Sequence, residues 1–450
     1  MASTQLKRTN GSPTNDKIGT ISLWLKRSNL STDQRLVMNM VDGNNYGIFY
    51  FVSSDEIELY TVTGGSQSSQ VRTTRKFRDT NAWYHIVLAI DTTQGTTTDR
   101  VKMYVNGVQE TSFSQTDYFG QNESCPLLIA STTNYHTIGA AENAQANFDG
   151  LMSHVHFCDG TALAPTVFGE TDSTTGEWKI KTNASFTPGN NGYTILKDGN
   201  TITDQSSNSN DFTLGAGTLT KTEDCPSNVF ATLNLLAPFG GNSSPVLANG
   251  NTTLDTTASN GNKGLFLSSL GMSSGKFYCE MKPTTVTRFS AGVCNKNVFL
   301  SSSSPDSQRN QAAITYYYGG SIYYDNNGTV SGGVSLSNND ILGIALDMDN
   351  NRLFFHKNGT YINSGDPTTS TGNVLTFTNA SQYLTNHEEM FFFVSDTSTS
   401  GVAKTEINFG NGYFGTTAVS SAGTNASGNG IFEYDTPTGY TALSTKGLNL

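Results

Sequence analysis

Asn339-Asp340-Ile341-Leu342-Gly343-Ile344-Ala345-Leu346-Asp347 runs into Met348-Asp349-Asn350-Asn351 and then Arg352-Leu353-Phe354-Phe355-His356-Lys357-Asn358-Gly359. This reads as strand, tight turn, strand, tight turn. Ile341 to Leu346 is an uninterrupted apolar run, short enough for a strand buried on both faces. Asp349-Asn350-Asn351 tolerates left-handed backbone, so the chain can reverse there. Leu353 and Phe355 alternate with Arg352, Phe354 and His356, and Asn358-Gly359 closes a second hairpin. A looser copy occurs earlier, where Trp83 to Asp91 is followed by Asp99 to Gly107. Two strand pairs, each ending in Asn-Gly, predict two separate β-sandwiches.

The totals agree with a β-rich chain of more than one domain. At 450 residues, roughly 150 per domain would give about three, but β-sandwiches run large and two is the better count. Formal net charge is −11 and only 14% of residues are charged, against ~25% in average globular proteins. Ser, Thr, Asn and Gly take their place, giving a surface of hydroxyls and amides. No cluster of Lys and Arg exceeds Arg72 to Arg78, which argues against nucleic-acid binding. No run approaches the ~20 apolar residues of a membrane span, and Met1 to Gln5 lacks an apolar signal core. The expectation is folding in a cytoplasm, without membrane insertion. The cysteines Cys125, Cys158, Cys225, Cys279 and Cys294 are widely spaced with no Cys-x-x-Cys, so buried free thiols are expected rather than zinc.

Along the chain, residues 1–16 read as an edge strand or arm. Ile18 to Lys26 alternates, with Ile21, Leu23 and Leu25 on one face and Trp24 on the other. Tyr46 to Val52 and Ile57 to Val62 pair across Ser53-Ser54-Asp55. Val101, Met103 and Val105 oppose Lys102 and Tyr104. Pro126 to Ala130 and His136 to Gly139 read as short strands. Leu151 to Cys158 reads as a strand with Met152, His154 and His156 on one face. Asp204-Gln205-Ser206-Ser207-Asn208-Ser209-Asn210-Asp211 is polar and turn-rich, within a connector over 176–240 expected to lie against a domain.

Catalysis finds little support. A glycosidase on such a fold needs two carboxylates flanking the bond, and no Glu-x-Asp-x-x-Glu strand exists here. Glu388 and Glu389 are adjacent, so on a strand they point to opposite faces. His136, His154 and His156 raise the question of a metal, but no third ligand accompanies the pair on one strand, and ordinary packing is the expectation. Asp347 to Asn351 starts like a calcium loop, but Arg352 and Asn358 occupy the positions where Gly and Glu are needed. No catalytic and no metal residues are assigned. The tyrosine-rich hairpin Tyr316 to Asp325 is more suggestive. Tyr317 and Tyr323 there, with Tyr361 past the Asn358-Gly359 turn, are the candidate ligand-binding residues, because an exposed Tyr offers a flat face and a hydroxyl to sugars or protein surfaces. The alternative for these rings is core or subunit packing.

Thr20 to Lys26, Trp83 to Val87, Tyr104 to Gly107, Ile138-Gly139 and Phe148 to Gly150 resemble a laminin-G-like, concanavalin-A-like jelly roll. Gly275 to Glu280, Ser290 to Val293, the 339–347 stretch, Ile407 to Gly410 and Pro437 to Leu443 resemble a SPRY domain, with Asn339 standing where that family has Gly. Phe157 to Pro165, Phe168 to Glu170, Gly176 to Trp178 and Pro226 to Asn234 are similar to segments of marine bacteriophage structural proteins. The resemblances imply an all-β chain of two antiparallel sandwiches: laminin-G-like over 1–175, connector over 176–240, SPRY-like over 241–450. They imply a non-enzymatic virion protein, a tail-fibre or appendage component binding a host glycan or receptor. Other virion proteins would be partners, and a homo-oligomer, a trimer, follows from the fibre resemblance alone. The alternatives are a capsid decoration or head-fibre protein and, less favoured, a polysaccharide-degrading enzyme. No cofactor is assigned, although laminin-G-like domains often hold calcium at the rim. In SPRY domains partners bind loops at one end of the sandwich.

Overall fold

The computed structural model describes residues 4–197, 201–239, 246–256, 264–296, 312–324, 328–376, 388–396 and 403–449. The chain is all-β and forms two units, Met1–Lys221 and Thr222–Leu450. The division at 221/222 falls within the stretch read as a connector, so its first part goes with the first unit and its last part with the second. The reason is visible in the strands. Tyr193–Ile195 and Thr213–Ala216 each join a sheet of the first unit, while Leu233–Phe239 joins one of the second.

In the first unit an eight-stranded antiparallel sheet faces a six-stranded one. The six-stranded sheet runs Tyr193–Ile195, Gly150–Asp159, Ile18–Arg27, Tyr84–Asp91, Val101–Val105, Val108–Gln109. Ile21 pairs with Leu88 and Leu23 with Ile86, so period-two alternation sends all four into the core. Asn106 and Gly107 take φ of 48° and 80° and close the hairpin as the sequence predicts. Gln5–Asn10 is not an edge strand, because Thr213–Ala216 pairs along its outer side. Pro126–Ala130 forms turns rather than a strand; Leu127 and Leu128 plug the core from there, and the strand is Ser131–Ile138.

Part of the outer face of the six-stranded sheet is covered by side chains. His85 stacks between Trp24 (4.7 Å between centroids) and Trp178 (5.9 Å). Trp178 Nε1 donates to His85 Nδ1 at 3.0 Å, which leaves the imidazole proton on Nε2 for Ser22 Oγ at 2.9 Å. A Cβ on Gly107 would sit 2.5 Å from the Trp178 ring, so only glycine lets that indole cross the turn.

The second unit pairs a seven-stranded with a nine-stranded sheet. The decisive stretch forms Leu342–Asp347 and Arg352–Lys357, hydrogen-bonded antiparallel. Asp347 Oδ1 accepts from Asn350 N at 2.9 Å and Asn351 adopts φ 52°, which sets the turn. Asn358 and Gly359, at φ 49° and 83°, repeat the geometry of Asn106-Gly107. Leu342, Ile344, Leu346, Leu353 and Phe355 enter the main core. Phe354 and Ala345 instead meet Phe230, Tyr278, Phe432, Tyr440 and Ala442 in a second apolar layer. That layer is why Leu342–Asp347 is buried on both faces. It is pinned by Glu280, whose carboxylate accepts the backbone N–H of Glu433 (2.9 Å) and Tyr434 (2.8 Å). Cys125, Cys158, Cys279 and Cys294 are buried free thiols and Cys225 is half-buried.

Candidate functional site

The strand Gly150–Asp159 carries a bulge. His154 has φ 49° and the register with Ile18–Arg27 shifts between Ser153 and His156. The bulge breaks the alternation read from the sequence. Met152, Val155 and Phe157 pack on the core, while His156 points to the opposite face, so Met152 and His156 do not share one. His156 stacks on Phe168 (5.2 Å, 27°) and meets Phe186 edge-on (5.6 Å, 90°). Opposite it lies Thr194, whose Oγ1 is 2.9 Å from His156 Nδ1.

A cleft of about 250 Å³ opens over His156. One wall is Thr182, Ala184, Ser185, Phe186 and Pro188; the other is Thr194, Lys197, Gln205, Ser206 and Ser207. The second wall is built by the polar run the sequence flagged. Asp204 accepts from Thr194 N (2.8 Å), Ser206 N (2.8 Å), Ser206 Oγ (2.7 Å) and Asn210 N (2.8 Å). Asp211 Oδ1 accepts from Asp204 N at 2.8 Å. Asn210 Nδ2 donates to Gly192 O at 2.8 Å, and Arg8 reaches Asn210 Oδ1 at 2.7 Å. A loop without apolar residues is thereby fixed by its own carboxylates and amides.

Burial, reinforced by the neighbouring charges of His154, His85 and Lys197, pushes the His156 imidazole down to about 3. The ring is neutral at pH 7. Among the residues lining the cleft, Lys197 carries the one charge and no carboxylate is present. The surface therefore combines aromatic ring, hydroxyl, amide and ammonium, which can bind a small polar ligand with a flat apolar face. It does not offer two carboxylates across a bond.

The histidines do not converge. His136 lies in the core, 2.9 Å from the Tyr193 hydroxyl, while the rings of His154 and His156 are 6.2 Å apart on the other side. Among the described residues no group of three His, Cys, Asp or Glu side chains is arranged to hold a metal ion.

Tyr317 and Tyr323 come together and Tyr361 does not join them. Thr315 pairs with Tyr323, so Tyr317, two residues on, shares its face. Tyr316 and Ile322 point the other way into the core. Both candidate rings are half-buried, and Arg288 donates to the Tyr317 hydroxyl at 3.1 Å. Tyr361 lies on the other sheet, edge-on to His356 at 5.0 Å, with its hydroxyl buried and burial pushing that hydroxyl up. The cleft over His156 is not legible locally because its floor and walls are drawn from separate segments spread between His156 and Ser207. The one available signal was the density of Asn, Asp and Ser over 204–211.

Solved structures similar to parts of the chain include the SPRY domain of human HERC1, at 19% identity over 39% of this chain and 96% of that one, with a TM-score of 0.30. Another is a heptameric SAP-like pentraxin from Limulus polyphemus, at 16% over 36% and 71%, TM-score 0.27. A third is domain 4 of AbnA, a GH43 extracellular arabinanase from Geobacillus stearothermophilus, at 20% over 36% and 68%, TM-score 0.25. No curated protein sequence matches the chain. Residues 2–168 match the family model described as the concanavalin A-like lectin/glucanases superfamily, the sandwich that carries the cleft's His156.

Proposed function

We propose that the chain is a non-enzymatic bacteriophage virion protein, a tail-fibre or appendage component that binds host surface glycan through the His156 cleft. The observation that carries the binding reading is the lining: His156 and Phe186 beside Thr182, Ser185, Gln205, Ser206 and Ser207, with no carboxylate. Rings next to hydroxyls and amides suit a sugar. A hydrolase of the same superfamily description would need an acid and a second carboxylate a few ångströms apart. The virion assignment is supported by the sequence resemblance over 157–178 and 226–234. Weak single-site affinity would be raised by multiple copies on one particle, since linked sites gain from effective concentration.

The test is binding of labelled protein to host cells before and after periodate oxidation of their surface sugars. Saturable binding abolished by periodate is the expected result. No binding under conditions where the phage adsorbs would favour the decoration role instead. That role needs a broad apolar contact face. The exposed large apolar side chains among the described residues, Val108, Leu214, Val334, Ile431 and Leu448, are dispersed over both units.

A further inference from the structure

We propose that His156 is the specificity-determining residue of this cleft, with Nε2 of its imidazole taking one hydroxyl of a sugar whose ring lies against Phe186. This rests on the cleft being a glycan site. The first ground is where the ring's own bonds go. Nδ1 is 2.9 Å from Thr194 Oγ1, across the strand pair that sets the two residues opposite each other. The ring stacks on Phe168, and Phe186 stands at 90° to it. Among the described residues no group hydrogen-bonds Nε2. Nor is that atom sealed in the interior, as the unpartnered Nδ1 of His136 is. His156 is only 3% exposed and lines the cleft, so the cleft is where Nε2 meets a partner.

The second ground is the kind of partner. The ring is neutral at pH 7, and the Thr194 hydroxyl serves Nδ1 equally as donor or acceptor. Nε2 is therefore an acceptor in one tautomer and a donor in the other. A sugar hydroxyl answers both; a carboxylate answers only the donor, and an ammonium only the acceptor. The third ground is burial. Thr182, Ser185 and Ser207 also line the cleft but are exposed, so a bond made there replaces one to water. Nε2 belongs to a ring already held by Thr194, Phe168 and Phe186, and its direction is set before a ligand arrives. A sugar lacking the matching hydroxyl leaves a buried polar atom unpaired, which is the stronger discrimination.

The experiment titrates the full chain with the methyl glycosides of glucose, galactose, mannose and N-acetylglucosamine, then with the monodeoxy analogues of whichever binds most tightly. Affinities come from ligand-observed NMR, and the imidazole nitrogens are followed by long-range proton–nitrogen correlation. One deoxy analogue should bind the wild type about tenfold more weakly than its parent, the size of one hydrogen bond. Against His156→Phe, which keeps a ring beside Phe168, that analogue and its parent should bind alike. The parent sugar should also move the Nε2 signal of His156 in the wild type, a readout that needs no variant and that a purely structural role would leave still. An unmoved nitrogen at saturating sugar, or the same deoxy profile in both proteins, would overturn the hydroxyl bond and leave the glycan site standing. Binding of none of the glycosides by folded protein would overturn both.

Discussion

His356 Nε2 lies 2.7 Å from the Tyr278 hydroxyl, at the centre of a buried relay in the second sandwich. Gly359 N donates to His356 Nδ1 at 3.0 Å, which puts the imidazole proton on Nε2. His356 therefore donates to Tyr278, and Tyr278 donates to Glu280 Oε1 at 3.0 Å. Glu280 holds the backbone of Glu433 and Tyr434, so the relay ties the Asn358-Gly359 turn to the segment that covers it.

Burial raises the Glu280 carboxyl to about 7, outweighing the backbone, Tyr278 and Asn408 donors that favour its ionised form. A folded value above the unfolded one means that the native state holds more protons between the two. The Glu280 contribution is therefore full below about pH 4.5 and is lost as pH rises through about 7. The gap corresponds to at most about 3 kcal/mol, at ~1.4 kcal/mol per pH unit. Urea unfolding of the wild type should show a decline from pH 6 to pH 8 that Glu280→Gln does not. Parallel profiles for the two proteins would refute this assignment.

The buried histidines act in the opposite sense. Burial pushes His85, His136, His156 and His356 each down to about 3. Their contribution is present above pH ~6.5 and is lost as pH falls from there towards 3, because the unfolded chain takes up the protons first. Thermal melts should fall steeply between pH 6.5 and 4. His136→Phe, beside Phe157 and Tyr193, should flatten that slope whatever it does to the absolute melting temperature.

Gly343 gives the His356 ring its place. A Cβ there would lie 1.8 Å from His356 Nε2. Gly343→Ala should destabilise the chain by about 1–3 kcal/mol, the usual range for overpacking. It should also break the bond to Tyr278, read as a new titrating imidazole in NMR. A variant with wild-type stability and no new titration would contradict the packing described.

Asp204 fixes the cleft wall. Asp204→Ala strands the N–H groups of Thr194, Ser206 and Asn210, so a loss of about 2 kcal/mol or more is expected. Hydrogen exchange over 204–211 should rise before the rest of the unit opens. Unchanged exchange would mean that the side-chain amides of Asn208 and Asn210, which donate to Gly192 O at 2.9 and 2.8 Å, hold the loop unaided.

The legible parts of the fold were those set by local chemistry. Asn106-Gly107 and Asn358-Gly359 announce their left-handed turns, and Ile21, Leu23 and Leu25 announce their face by alternation. The bulge at His154 has no local signature, since nothing about a histidine demands φ of 49°, and a one-residue slip reverses the face of His156. Residues 204–211 were visible as polar, but their partners Arg8 and Gly192 are remote in sequence. Tyr361 reads as exposed until the later segment carrying Phe432 and Tyr440 is laid over the same sheet. Long-range covering of an outer face is what period-two reasoning cannot supply.

As proposed, the cleft over His156 binds sugar without cleaving it. The most direct measurement is the binding of the purified chain to an array of surface glycans, with Phe186→Ala alongside and reducing ends assayed after incubation. Saturable binding to a subset of glycans, lost in Phe186→Ala, with no reducing ends released, is the predicted result. Binding that survives Phe186→Ala, or release of reducing ends by the wild type, would contradict it.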